Sequence, residues 1–242
     1  MKTLILAGGK GTRFSEETKT KPKPLILINE EPMLIHIINH YRHYGLRDFV
    51  ILGGYKFEMI NDYFDETAES ISSGEYKYKD SKILVLNTGE ETMTGGRLKI
   101  AIDELKLTNF LMTYGDGIGN INIDNLVNSH TKSNCLVTIT AVRPPARFGR
   151  LEIEDNLITS FGEKNQSKEG WINGGFFVIN SEINSYIEDE MTVLERSPFG
   201  NLAKEKRLNA FKHYGFWQPV DTIREKEQLE NILKEKNEMP WI

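Results

Sequence analysis

The chain has 242 residues, with 30 Lys and Arg against 35 Asp and Glu and a formal net charge of −5. A hydrophobic share of 39% argues against wholesale disorder, the acidic balance argues against a general nucleic-acid binder, and the lone cysteine, Cys135, rules out an intramolecular disulfide and a Cys-rich zinc site. No apolar run approaches the ~18 residues of a membrane span. The short apolar N-terminus runs into Gly8 and Gly9, so it reads as a first strand and not as a signal peptide. A cytoplasmic protein with no membrane partner is expected.

In chain order, apolar runs predict strands over 4–7, 49–52, 83–86, 110–113 and 136–142. Helical patterns lie between them over 33–41, 58–64, 98–105 and 126–131. Pro32 at the start and Gly45 past the end punctuate the first helix. Such alternation means βα units: an α/β protein, Rossmann-like, with a mixed but mostly parallel sheet flanked by helices. Ligands of these sheets bind beyond the carboxyl ends of the strands. Gly8-Gly9, Gly53-Gly54 and Gly115-Asp116-Gly117 each follow a strand at that end. After Val142 the texture changes to antiparallel strands over 147–153 and 157–161, a strand over 176–179, and a Lys- and Glu-rich helical tail from Ile223 with Leu229, Ile232 and Leu233 on one side. There is no internal repeat and no clear linker, so one domain over 1–242 with a smaller antiparallel lobe is expected.

The sharpest motif is Leu6-Ala7-Gly8-Gly9-Lys10-Gly11-Thr12-Arg13, followed by Lys21-Pro22-Lys23-Pro24-Leu25. Glycines after a strand let backbone N–H groups turn toward an anion. Arg13 and Lys23 add fixed positive charge suited to a triphosphate. The spacing fits neither a P-loop nor a dinucleotide fingerprint: Gly11 follows Gly9-Lys10, and Phe14 stands where the last fingerprint glycine would be. A glycine-rich turn alone is as consistent with an ordinary loop as with a phosphate site; the two cations favour phosphate. Asp116 at a strand end reads by itself as a turn or cap residue. With Asp221 near one triphosphate it could share a Mg²⁺, although spacing does not show that the two meet.

These segments resemble the signature of the nucleoside-triphosphate sugar-1-phosphate nucleotidyltransferases. The resemblance implies that Leu6, Ala7, Gly8, Gly9, Gly11, Thr12 and Arg13 hold the triphosphate, that Lys23 holds a substrate phosphate, and that Asp116 and Asp221 are Mg²⁺ ligands. Arg13 and Lys23 are then the catalytic residues. Further motifs, Thr88-Gly89, Met93-Thr94-Gly95-Gly96-Arg97, Arg143-Pro144-Pro145-Ala146-Arg147-Phe148-Gly149, Asn173-Gly174-Gly175 and Gly215-Phe216-Trp217-Gln218-Pro219, resemble the branch that joins CTP to glucose 1-phosphate. That likeness implies release of CDP-glucose and pyrophosphate, as for a polysaccharide precursor. It assigns Thr88, Gly95, Gly96, Arg97, Tyr114 and Gly115 to the nucleotide, with Arg97 donating to the cytosine O2 or N3. Glu163, Lys164, Trp171, Asn173 and Gly174 fall to the acceptor, and a homo-oligomer is expected. On this reading 1–142 is the nucleotide part, and 143–242 the acceptor-binding and C-terminal part.

One departure is Glu163-Lys164-Asn165, where the family shows Glu-Lys-Pro. It keeps open an acceptor other than glucose 1-phosphate, such as another sugar phosphate or a phosphorylated amino-acid-like compound. A non-catalytic nucleotide sensor would have lost metal ligands or the acceptor lysine, and Asp116, Asp221 and Lys164 are all present. Other residues read more plainly. Arg97 could be only a surface helix start, and Asn173-Gly174-Gly175 only a strand-entry turn. Cys135 is expected as inert packing in a buried strand, and Phe211, Tyr214, Phe216 and Trp217 as core. His36, His40 and His43 share a helix face opposite Leu34, Ile37 and Tyr41, which places them in solvent or at a subunit contact.

Overall fold

The computed structural model describes residues 1–11, 14, 18–144, 150–162, 170–236 and 239–241. The chain opens with strand β1 (Thr3–Ala7), a 3-10 turn over Lys23–Leu25, and the short strands β2 (Leu27–Ile28) and β3 (Glu31–Pro32). Helix α1 (Met33–His43), β4 (Asp48–Gly53) and α2 (Phe57–Thr67) follow. Next come β5 (Glu69–Ser72), β6 (Glu75–Tyr78), β7 (Ser81–Asn87) and α3 (Thr94–Leu105). After β8 (Asn109–Tyr114) and β9 (Gly117–Gly119) stand α4 (Ile123–Ser133) and β10 (Val137–Val142). The second half contributes the hairpin β11 (Arg150–Glu154) and β12 (Leu157–Gly162), then β13 (Ile172–Asn180) and a 3-10 segment Ser181–Tyr186. It ends with α5 (Ser197–Lys204), β14 (Leu208–Lys212), β15 (Trp217–Pro219) and α6 (Ile223–Lys236).

Among the described residues one sheet runs in the order β14-β10-β13-β8-β1-β4-β7-β6-β5. Its centre, β8-β1-β4-β7, is parallel. Strand β13 comes from the second half and inserts antiparallel between β8 and β10, so both halves of the chain build one sheet. Side chains alternate strictly between two cores. Ile5, Phe49, Ile51, Leu111, Phe176 and Val178 face α1, α2, α4 and α6, whereas Leu4, Val50, Leu52, Met112, Phe177 and Ile179 face α3 and α5. This is the period-two signature of strands covered on both faces, and it explains why they read as continuous apolar runs.

Several expectations need correcting. Cys135 lies just before β10, not in it, and is half-buried; its Sγ faces the Lys206 carbonyl at 3.7 Å. Tyr214 is 78% exposed, while Phe211, Phe216 and Trp217 do pack on the core. His36 and His40 are buried at 0% and 3% exposure; only His43 faces solvent. His36 Nε2 donates to the Ile28 carbonyl at 2.9 Å, and His40 Nδ1 donates to the Trp241 carbonyl at 2.8 Å. The cover over that helix face comes from Trp241, at the far end of the sequence, where the periodicity of α1 carries no information about it. The hairpin β5–β6 also escapes the pattern: all of β5 is exposed, so it has no apolar alternation to reveal it.

Candidate active site

The carboxyl ends of β1 and β8 border a cavity of about 300 Å³. Its walls include Leu6, Ala7, Gly8, Gly9, Gly11, Lys23, Arg97, Tyr114, Gly115, Asp116 and Asp221 from the residues named by sequence. Thr12 and Arg13, and Glu163 and Lys164, lie outside the described residues. The loop after β1 is held by its own turn. Gly11 has φ +60°, and its carbonyl accepts from Phe14 N at 2.9 Å and Thr18 Oγ1 at 3.1 Å. A side chain at Gly11 would be strained and would meet Thr18 Cγ2 at 2.8 Å.

The two aspartates do meet. Strands β9 and β15 pair antiparallel, Gly117 opposite Pro219, and Val220 N donates to the Asp116 carbonyl at 2.8 Å. That register sets Asp116 just before one strand beside Asp221 just after the other. Their carboxylates converge on one cation: Lys23 Nζ donates to Asp116 Oδ2 at 2.9 Å and to Asp221 Oδ1 at 2.5 Å. The Lys23 side chain is only 10% exposed. Pro22 and Pro24 fix the 3-10 turn that carries it. Two carboxylates gathered on a positive charge beside a glycine-rich loop fit a hard divalent cation completing its shell with phosphate oxygens and water.

Arg97 also lines the cavity and is 4% exposed. Its Nη1 donates toward Gly53 O (3.0 Å), Thr88 Oγ1 (2.6 Å) and Gly89 O (2.7 Å), and its Nη2 toward Gly8 O (3.0 Å) and Glu90 O (3.2 Å). Thr88 thus reaches the site through Arg97. Gly8 and Gly54 leave the room: a Cβ on either would collide with the guanidinium. The side chain that the sequence aims at a cytosine directs both terminal nitrogens at protein oxygens that fasten three glycine loops together. Burial alone lowers its pKa from the usual arginine value.

Gly95 and Gly96 do not line this cavity. They admit the segment 190–195 across the start of α3, where Met93 N and Gly95 N donate to the Glu190 and Thr192 carbonyls, each at 2.9 Å. Residues Phe14, Pro24, Thr92, Met93 and Thr94 complete the wall; the sequence reading gave none of them a site role, although Pro24, Met93 and Thr94 stand inside its motifs. Thr94 could have been found as the polar residue opening α3.

On the acceptor side, Asn173 and Gly174 line a small hollow that shares Tyr114 and Asp116 with the main cavity. Trp217 Nε1 donates to the Gly174 carbonyl at 2.8 Å. Asn173 Nδ2 donates to Tyr114 Oη at 3.0 Å. Burial, aided by the Glu195 carboxylate, pushes the Tyr114 phenol well above its ordinary pKa, so it stays a donor. Trp171 stands apart from both spaces, against Arg143 (4.7 Å from the ring centre), Lys212 (5.6 Å) and Tyr214.

The nucleotidyl transferase family model matches residues 2–218. Glucose-1-phosphate cytidylyltransferase of Salmonella typhi is 40% identical over 100% of this chain and 98% of its own. Mannose-1-phosphate guanyltransferase of Saccharomyces cerevisiae is 33% identical over 91% of this chain and 61% of its own. The HddC structure from Yersinia pseudotuberculosis, complexed with GMP-PN, superposes with a TM-score of 0.74 at 22% identity, covering 96% and 99% of the two chains, and supports the fold. With the family model spanning residues 2–218 and a relative 40% identical over the whole chain, the chain belongs to the nucleotidyl transferase family.

Proposed function

We propose that this protein transfers the cytidylyl group of CTP to glucose 1-phosphate, giving CDP-glucose and pyrophosphate. The observation that carries the reading is the convergence of Asp116, Asp221 and Lys23 in the wall of a cavity that Gly8, Gly9 and Gly11 also line. The choice of CTP and glucose 1-phosphate rests on the relative from Salmonella typhi that carries that name and matches the full chain.

An oxygen of the acceptor phosphate forms the new bond to the α-phosphorus of CTP, and the bond from that phosphorus to the pyrophosphate oxygen breaks. The attacking phosphate is already anionic, so no strong base is required. The work left to the protein is to hold two anions together and to stabilise the charge of the transition state. Lys23 brings its ammonium to the junction, and the backbone N–H groups of the glycine loop face the triphosphate. Arg13 serves the pyrophosphate, and Lys164 with Glu163 the acceptor. Asn173 and Gly174 contact the acceptor body, and Arg97 fixes the wall on which the base rests. Asp116 and Asp221 would hold Mg²⁺, which supplies charge neutralisation on the phosphates. The Lys23 ammonium, which donates to both carboxylates in this structure, would turn to a substrate phosphate when their oxygens hold the cation. A homo-oligomer working in the cytoplasm, supplying a surface-polysaccharide precursor, completes the proposal. No helix among the described residues is long and apolar enough to cross a membrane.

The test is pyrophosphate release with CTP, Mg²⁺ and glucose 1-phosphate, run beside UTP, dTTP and other phosphorylated acceptors. Release confined to CTP with glucose 1-phosphate is expected. Release with CTP and a different acceptor would reassign the acceptor half, and tight CTP binding without release from any acceptor would overturn the enzymatic reading.

A further inference from the structure

The segment before α5 supplies one carboxylate that the sequence reading leaves without a role. Glu195 Oε2 accepts from Thr94 Oγ1 at 2.7 Å, and Glu195 Oε1 accepts from Tyr114 Oη at 2.5 Å. Thr94 opens α3 and lines the main cavity. Tyr114 ends β8, lines the same cavity and continues into the hollow of Asn173 and Gly174. The chain of contacts then runs on: Asn173 Nδ2 donates to Tyr114 Oη at 3.0 Å, and Asn173 Oδ1 accepts from Gly175 N at 2.9 Å. Thr94 is held from its other side, since Leu194 N donates to its Oγ1 at 2.9 Å.

The directions along this chain are fixed. A carboxylate only accepts, so both hydroxyl hydrogens point at Glu195. The Tyr114 oxygen is then left as an acceptor for Asn173, and the amide of Asn173 is locked with its nitrogen toward Tyr114 and its oxygen toward Gly175. Glu195 itself lines neither space. It reaches them only through the two hydroxyls.

We propose that Glu195 is a positioning residue that couples the nucleotide wall to the acceptor wall, setting Thr94 on one and Tyr114 with Asn173 on the other. The proposal rests on the transfer reaction proposed above. Its consequence is specific. Loss of the carboxylate frees the Tyr114 hydroxyl and with it the orientation of Asn173, so acceptor recognition suffers more than the fold does. Each hydrogen bond to a charged group is worth enough for about a tenfold effect on its own.

The test measures KM and kcat for CTP and for glucose 1-phosphate separately in wild type, Glu195→Ala, Glu195→Gln and Tyr114→Phe, with thermal unfolding of each. Glu195→Ala is expected to raise the acceptor KM about tenfold, with its melting temperature close to wild type. Glu195→Gln keeps the shape and can still accept from Tyr114, so it should recover most of that loss. The double variant Glu195→Ala with Tyr114→Phe should be no worse than the more impaired single variant. Wild-type acceptor KM in Glu195→Ala, or losses that add in the double variant, would overturn the proposal. A loss that merely follows a lowered melting temperature, with no rescue by Gln, would overturn it as well. Failure of the wild-type protein to release pyrophosphate would instead defeat the proposed reaction, which separates the two.

Discussion

Two cationic side chains divide the labour of the site, and their surroundings say how. Lys23 faces two carboxylates in the cavity wall, whose oxygens a bound cation would take while the ammonium turned to a substrate phosphate. Removing its charge leaves two acidic groups facing two anions. Lys23→Ala should therefore lose roughly a hundredfold or more in turnover, with steady-state pyrophosphate release as the readout; near-wild-type turnover would refute the assignment. Arg97 is different. It is buried among backbone carbonyls, and its planar fork is matched to them. An ammonium in its place offers three donors from a single point and leaves carbonyls unpaired. Arg97→Lys is expected to cost about 2 kcal/mol of stability and to weaken nucleotide binding through the displaced glycine loops. Urea unfolding and CTP titration check the two parts. Unchanged stability would mean that the guanidinium serves the ligand and not the walls.

At the scale of elements, the start of α3 is built by contact with the irregular segment 190–195 from the second half. A Cβ on Gly96 would run into the Glu190 carbonyl, and one on Gly95 would lie 2.7 Å from the Thr192 carbonyl. Neither neighbour is a yielding side-chain tip. Gly96→Ala should destabilise by ~1–3 kcal/mol, the usual cost of overpacking, and should shift Glu195 with the segment that carries it. Chemical denaturation of the variant measures this, and a neutral result would show the segment free to move. The same junction shows what the sequence reading can and cannot see. The strands β1, β4, β7, β8 and β10 announce themselves because apolar runs bounded by turn residues are a local signal. The glycine loop, Lys23, Asp116 and Asp221 were legible as a set through motif resemblance, and register alone brings the aspartates together through the β9–β15 ladder. Gly95 and Gly96 were legible as special but not in purpose, because the carbonyls they accommodate lie about a hundred residues away. Glu195 and the burial of His36 and His40 share that cause: each is decided by a partner distant in the chain, and nothing in the local spacing encodes it.

At the scale of the whole molecule, the inserted strand β13 and the C-terminal Trp241 tie the second half onto the first. Trp241 is fully buried, with its ring edge-on to His36 and stacked near Phe216, and its carbonyl holds His40. That arrangement makes closure of the fold sensitive to protons. Burial is the main cause that lowers the His40 pKa from 6.5 to about 4. Between those values the unfolded chain carries the proton and the folded one does not, so the free energy of unfolding rises with pH across the interval. The contribution is complete above 6.5 and is lost as pH falls toward about 4. It amounts to about 3 kcal/mol at most. Burial lowers His130 and His213 as well, and they act in the same direction. Asp80, held down to about 2 by Arg42 and Arg47, titrates below this window and does not confuse it. His40→Gln keeps an amide donor for the Trp241 carbonyl and removes the titration. Denaturant unfolding followed across the window should show a steep loss of stability for wild type and a shallower one for the variant. Parallel curves for the two proteins would place the acid sensitivity in the other histidines and detach it from the Trp241 closure.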